Sequence, residues 1–249
     1  MNANIRKITI LCGKDARDVL QNPTMLVSCL MPIGFMLLYR YMMHRIGGDT
    51  TDATAGHTLT DGFLMSTAAI FTIAMVGSML LIYGLAEEKE KHTLRTLMLA
   101  NVSAGQILAA KLAVTLALTA ATEAICFLII GAPTRMLPAF LAIGIIGAIP
   151  IMLVSALLGL LSRDQMTSGL YAVPMLLVAL APIFSIIGKE VSNVMRFLPT
   201  GGTNQLFKLL AEDRLLSMDV LLPVVVTAIW IIVCTVAFGL LFKRLVRDN

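Results

Sequence analysis

The chain has 249 residues, of which 58% are hydrophobic and only 14% charged, and its mean hydropathy of +0.88 lies outside the soluble globular range. The apolar residues form long unbroken runs, which excludes a soluble enzyme and makes the chain an all-α polytopic membrane protein. Its net charge of +4 and pI near 9.0 come from bases that flank those runs, so membrane topology accounts for them and no nucleic-acid partner is expected.

In chain order, residues 4–20 come first. Ile5, Ile8, Leu11, Cys12, Val19 and Leu20 recur at roughly helical spacing, with Arg6, Lys7, Lys14, Asp15, Arg17 and Asp18 opposite. This predicts an amphipathic helix within 1–22 lying in contact with membrane lipids at the interface. Asn22-Pro23 ends it, because the residue before proline is pushed out of helical conformation. The apolar stretch 8–12 is short and followed by charges, so it does not read as a cleavable signal.

A bilayer core of about 30 Å needs about 20 residues of helix. Six segments qualify, at 25–43, 63–85, 104–130, 137–161, 167–187 and 219–242. Pro150 falls inside the fourth, and Pro174 and Pro182 inside the fifth, where neighbouring helices must satisfy the freed carbonyls. Six spans put both termini on one side. With that side inside, 12 of the 19 bases are cytoplasmic and 7 exterior, which orients the chain with cytoplasmic termini in the plasma membrane of a bacterial cell. The exterior segments are then a Gly/Thr/Asp-rich flexible loop (44–62), a tight turn (131–136) and a long segment (188–218) whose apolar pattern predicts short re-entrant-like amphipathic helices around a Pro199–Gly202 turn.

One substantial loop remains inside, 86–103, and it opens with a dense mixed-charge run. Glu87 and Glu88 lie four and three residues before Lys91, spacings that pair along a helix face. Leu94, Leu97 and Met98 then fall at i, i+3, i+4, an apolar stripe on a short helix that Thr93 can cap. A break at Asn101 follows, and Ser103-Ala-Gly-Gln106 has capping-box spacing at the start of the third span. A helix of about seven residues outside the membrane is marginal alone, so a docking partner is expected.

The stretch EEKEKHTLRTLMLANVSAGQILAAKL resembles the corresponding loop of ABC-2 type transporter permeases. There the pattern reads Glu-x-Glu-x-Gly-Thr-Leu-x-x-Leu-x-x-(Ser/Thr)-Pro-Val-Ser, with a lysine in the next span. Glu88, Glu90, Thr93, Leu94, Leu97, Val102, Ser103 and Lys111 stand at matching positions, while His92, Ala100 and Asn101 replace the glycine, the hydroxyl residue and the proline. The opening KDARDVLQNPTMLVSCLMPIGFMLLY and the six-span layout extend the resemblance over essentially the whole chain.

The resemblance implies the permease subunit of an ATP-driven exporter. Two permeases, as a homodimer or heterodimer, would pair and engage two copies of a cytoplasmic ABC ATPase through this loop. Glu88, Lys91, His92, Thr93, Leu94, Arg95, Leu97 and Met98 are the coupling candidates, with the three apolar residues in the ATPase groove and Glu88, Lys91 and Arg95 at its polar rim. Leu97→Asp is then expected to abolish coupling while leaving insertion intact. The chain contains no G-x-x-x-x-G-K-[ST] motif, since Gly13-Lys14 and Gly188-Lys189 lack its other elements. It is therefore read as non-enzymatic and as binding no cofactor itself, with ATP and Mg on the partner subunit.

Spans two and five line the inter-subunit pathway in such permeases, which makes Thr67, Phe71, Ser78 and Tyr171 candidates for substrate contact beside an ordinary packing role. Glu123 lies well inside the third span. An intramembrane carboxylate costs at least about 2.5 kcal/mol at the bilayer centre, so it reads as a cation or proton site, a contact for a cationic substrate, or a buried structural acid. Gly144-x-x-x-Ala148 permits close helix approach within the subunit or at a dimer seam. Drugs, antimicrobial peptides, lipid-like compounds and ions all remain open as substrates. An ion-coupled secondary transporter using Glu123 is the alternative from a different class, and a lipid-directed membrane enzyme ranks last because no polar cluster gathers at one interface.

Overall fold

A computed structural model describes residues 3–46, 53–99 and 102–247. Among them every regular element is helical. Asn22 separates α1 (Ala3–Gln21) from α2 (Pro23–Ile46), and its side chain accepts from the Thr24 amide at 3.0 Å. Proline is well placed at the first helical position because it has no N–H to leave unpaired. Six helical stretches are long and apolar enough to cross a membrane: Pro23–Met42, Gly62–Glu90, Ala104–Ile130, Thr134–Leu161, Gln165–Ser185 and Met218–Phe242.

The second span is the axis of the bundle. Of its apolar window 83% is buried, against 22% for the first and sixth spans, so those two and the exposed stripe Met166, Leu170, Val173, Leu177 of α8 (Gln165–Leu180) form the outer apolar surface. The axial span comprises α3 (Ala53–Thr72), a π-helical segment (Ile73–Met79) and α4 (Leu80–Glu90). It packs against α6 (Ala104–Ile130) and α7 (Leu137–Leu161). Gly159 lets α7 close onto α4, since a Cβ there would sit 2.8 Å from the Leu81 carbonyl.

Two sequence expectations change here. The segment 44–62 is expected as a flexible exterior loop, yet helix resumes at Ala53. Tertiary packing overrides the weak local propensity of its Gly, Thr and Asp residues, because this end of α3 lies along α10 (Gly201–Ala211), with Gly62 against Ala211. The fifth span is α-helical only to Leu180 and continues as a 3-10 turn, Ala181–Ile186, that takes in Pro182.

The long segment before the last span forms α9 (Lys189–Met195) and α10. Gly201 to Asn204 are fully enclosed, α10 packs against α3, α7 and α11 (Leu221–Arg247), and Phe207 joins Phe127 and Phe140 in an aromatic cluster. At the opposite end of the bundle, Phe238 and Phe242 of α11 pack against Leu85, Leu108, Ala156 and Leu160. The C-terminal helix therefore finishes at the same end as α1, α4 and the start of α6.

Candidate functional site

The site grows from the end of the axial span. α4 stops after Glu90, and the amides of Lys91 and His92 bond to the carbonyls of Glu87 and Lys89 at 2.9 and 3.0 Å, which tightens the final turn. His92 takes a left-handed conformation with φ of 54°, as residues just past a helix end often do. Family permeases carry glycine at that position by the resemblance noted above, and histidine is among the residues that tolerate it. α5 (Thr93–Leu99) follows. Thr93 does not cap it. Its hydroxyl instead donates to the Glu88 carbonyl at 3.2 Å, because the left-handed turn at His92 folds Thr93 back over α4. The third span opens with the expected capping box, in which Gln106 N–H donates to Ser103 Oγ at 3.2 Å and Gln106 Oε1 accepts from Ser103 N–H at 3.0 Å.

Each residue of the run Glu87–Glu90 is fastened to a different part of the bundle. Glu87 accepts from Asn22 Nδ2 at 2.7 Å, at the start of the first span, and pairs with Lys91. Lys89 Nζ donates to the Leu160 carbonyl at 2.8 Å, at the end of the fourth span. Glu90 Oε2 accepts from the Gln165 amide at 2.8 Å, at the start of the fifth. Glu88 turns inward to an ionic cluster, with its Oε1 2.7 Å from Lys14 Nζ on α1 and 3.2 Å from Lys111 Nζ on the third span. Asp15 completes the cluster at 3.3 Å from Lys111 and 3.5 Å from Lys14.

Asp15, Glu88 and Lys111 are all buried, beside a cavity of about 160 Å³ that Thr93 and Thr115 also line. Burial pushes the Asp15 carboxyl above the usual aspartate value, against the pull of Lys111. Burial works in the opposite sense on Lys14, but its hydrogen bond to Glu88 and the charges of Glu88 and Asp15 outweigh that effect and hold its pKa above the usual lysine value. Lys91, at the surface, is also raised, by its hydrogen bond and ion pair with Glu87.

The coupling candidates are thereby redistributed. Glu88 is read from the sequence as an exposed rim residue pairing with Lys91, but it is only 5% exposed and is committed to Lys14 and Lys111. A local i, i+3 pairing loses to two bases that converge from distant elements. Leu97 has a partner within the chain, packing against Leu11 and Ile107 with Ile8 and Val102. A Leu97→Asp change therefore disturbs α5 packing as well as any contact with a partner subunit. The side chains of Leu94, Arg95 and Met98, and residues 100–101 with the predicted break, lie outside the described residues. On the described part of α5 the exposed positions are Thr96 and Leu99, three apart on one face, with Leu99 83% exposed, and His92 is exposed just before the helix. Thr96 and Leu99 are not marked in the sequence, because on a helix they fall on the side away from the apolar i, i+3, i+4 set.

Residues 24–241 match the family described as ABC-2 family transporter protein. The chain belongs to that family. It is thus the membrane subunit of an ABC transporter, of the permease rather than the ATP-binding kind, and its class works with an ABC ATPase. No curated protein and no solved structure matches it.

The permease's pathway candidates divide by position. Thr67 and Ser78 are buried in the axial span, Ser78 donating to the Ala74 carbonyl within the π segment. Phe71 is half-buried and stacks on Phe35 of the first span at 4.8 Å between ring centroids. Tyr171 is half-buried on α8. Near Phe71, Met31, Met75, Met79 and Tyr83 line an apolar groove of about 470 Å³ between the first span and the π segment. Glu123 is fully enclosed, and neither carboxyl oxygen has a hydrogen-bond partner among the described residues. None of the five candidates is among the residues lining that groove. Glu123 lies on Gly144, which places the Gly144 close approach within the subunit.

Proposed function

We propose that this permease is the pathway-forming half of an ATP-driven exporter. It works as a dimer in a bacterial plasma membrane with cytoplasmic termini, and two ATPase subunits, carrying ATP and Mg, dock on α5. The observation that carries this reading is the joint between α5 and the bundle. The exposed positions Thr96 and Leu99 of α5 follow, across the turn at His92, a run whose four consecutive side chains reach the first, third, fourth and fifth spans and α1. A push on α5 would be delivered to every one of those elements through direct hydrogen bonds and, at α1 and the third span, through buried ions. The outward apolar faces of α2, α8 and α11 offer surface for a second permease as well as for lipid. The methionine-lined groove beside Tyr83 favours an apolar or amphipathic substrate over a small hydrophilic one.

Leu99→Asp tests the docking. Leu99 is exposed, so the change leaves insertion and folding intact, while transport and permease-stimulated ATP hydrolysis fall at least tenfold in membranes containing the ATPase. Thr96→Cys crosslinks to the ATPase subunit in the same membranes. Unchanged transport in Leu99→Asp together with no crosslink from Thr96→Cys would sink the assignment of α5 as the docking element.

A further inference from the structure

Glu123 stands apart from the docking site and from the groove, and three observations converge on it. It is fully buried seven residues before the C-terminal end of an apolar span, with both carboxyl oxygens unpartnered among the described residues. It is seated in a slot: any Cβ at Gly144 would overlap its carboxyl, so the glycine makes room for it on α7. One turn further on the same face of α7, Gly147 makes the same room for Thr203 of α10, whose hydroxyl is also buried and unpartnered. One turn before Glu123 on α6, Thr119 lies beside Gly77 of the π segment, which also faces Met152 of α7. Single π-helical turns recur at functional sites.

Among the described residues no fixed cation balances this carboxyl. α7 and the stretch 62–79 of the axial span carry no ionisable residue. On α6 the neighbours are Cys126, one turn on, and Lys111, 12 residues away and so about 18 Å along the helix, where it is committed to Asp15 and Glu88. From α2, Arg40 reaches the Ile129 carbonyl at the far end of the third span, and Lys208 of α10 is held by Ser185. A bare carboxylate in such a place is costly. A metal cation would need several oxygen ligands around it, and the carboxyl is pressed directly against the Gly144 backbone. A proton needs one oxygen and no cavity.

We propose that the Glu123 carboxyl is a proton-binding site that links protonation to the packing of the third span on the fourth. The neutral acid fits the Gly144 slot. When the two helices part, water enters, the O–H bond breaks, the proton passes to that water and the carboxylate remains hydrated in the gap. Proton return and loss of the water accompany reclosure. The packed arrangement is therefore favoured at lower pH and weakens as pH rises above the value of a hydrated glutamate, about 4.3. The inference does not depend on which ATPase or substrate the permease serves.

The test uses the full chain in lipid nanodiscs, grown with carboxyl-isotope-labelled glutamate so that infrared bands of glutamate are separable from those of aspartate. At neutral pH, where hydrated carboxyls are ionised, one labelled band of a neutral carboxylic acid is expected. It should exchange slowly with deuterium and vanish in Glu123→Gln, which is isosteric with the neutral acid. Of the other glutamates, Glu87, Glu90, Glu190 and Glu212 lie at the ends of the bundle and the buried Glu88 is paired with Lys14 and Lys111, so the wild-type spectrum decides even if the variant inserts poorly. In thermal unfolding, the wild type should lose ground to Glu123→Gln with rising pH, by up to tenfold in the equilibrium constant per pH unit. Only ionised carboxylate bands at neutral pH, or parallel pH profiles for the two proteins, would overturn the proposal. Loss of the neutral-acid band on adding sodium at fixed pH would replace the proton with a metal cation.

Discussion

Glu88 and Glu123 are both buried glutamates of one helical membrane bundle, and the protein treats them in opposite ways. Glu88, at the termini-bearing end, is met by Lys14 and Lys111 at 2.7 and 3.2 Å and shares them with Asp15. Glu123, seven residues before the C-terminal end of its span, is met by a glycine and, among the described residues, by no hydrogen-bond partner. At the interface, lysine side chains can reach in from helix ends and pair with an acid under protein cover. Around Glu123 no base arrives among the described residues, and the space a side chain would fill is given to the carboxyl itself. The first arrangement is a joint built of ions and the second a packing contact built around one acid.

Lys111→Met strains this contrast most. It leaves Asp15 and Glu88 buried with only the partly exposed Lys14 between them, and removing one partner of a buried ion pair costs about 3–5 kcal/mol. We expect a large fall in thermal stability in detergent or nanodiscs. The double variant Lys111→Met with Glu88→Leu should recover part of it, because no unpaired charge remains at Glu88. Equal losses for single and double variants would mean that the cluster is not acting as a unit.

Gly144→Ala probes the other acid. The new methyl overlaps the Glu123 carboxyl, and overpacking of this kind costs about 1–3 kcal/mol. Shortening the acid in Glu123→Ala should absorb most of that loss, so a double-mutant cycle should show coupling between the two positions. Additive effects would separate Gly144 from Glu123.

How much of this is legible in the sequence follows the range of each interaction. The spans are, because a run such as 137–161 is apolar whatever it packs against. The Ser103–Gln106 capping box is, because its two bonds close within four residues. The ionic joint is not. Lys14 and Glu88 are 74 positions apart and Asp15 and Lys111 96 apart, and local spacing pointed Glu88 at Lys91 instead. Leu97 misleads for the same reason, since an apolar stripe on an isolated loop does not reveal that α1 and α6 cover it. Glu123 stands out in the sequence as an acid among apolar residues, but Gly144 as its seat lies 21 positions on and needs the fold.

The smallest effect lies at His92, where the ionic joint hands over to α5. A left-handed conformation costs an ordinary L-residue about 1–2 kcal/mol, and a β-branched one is worst suited to it. His92→Val should therefore destabilise the joint by roughly that amount. His92→Gly should change stability little, because the strain it relieves is offset by the flexibility glycine adds to the unfolded chain, about 0.4–1 kcal/mol. Amide hydrogen exchange at Thr93–Leu99 reads this directly: faster in His92→Val and near wild type in His92→Gly, with the neutral-acid band of Glu123 unmoved in both. Equal acceleration in the two variants would show that the imidazole, rather than the backbone turn, holds α5 in place. A shift of the Glu123 band would show that the two acids are not independent.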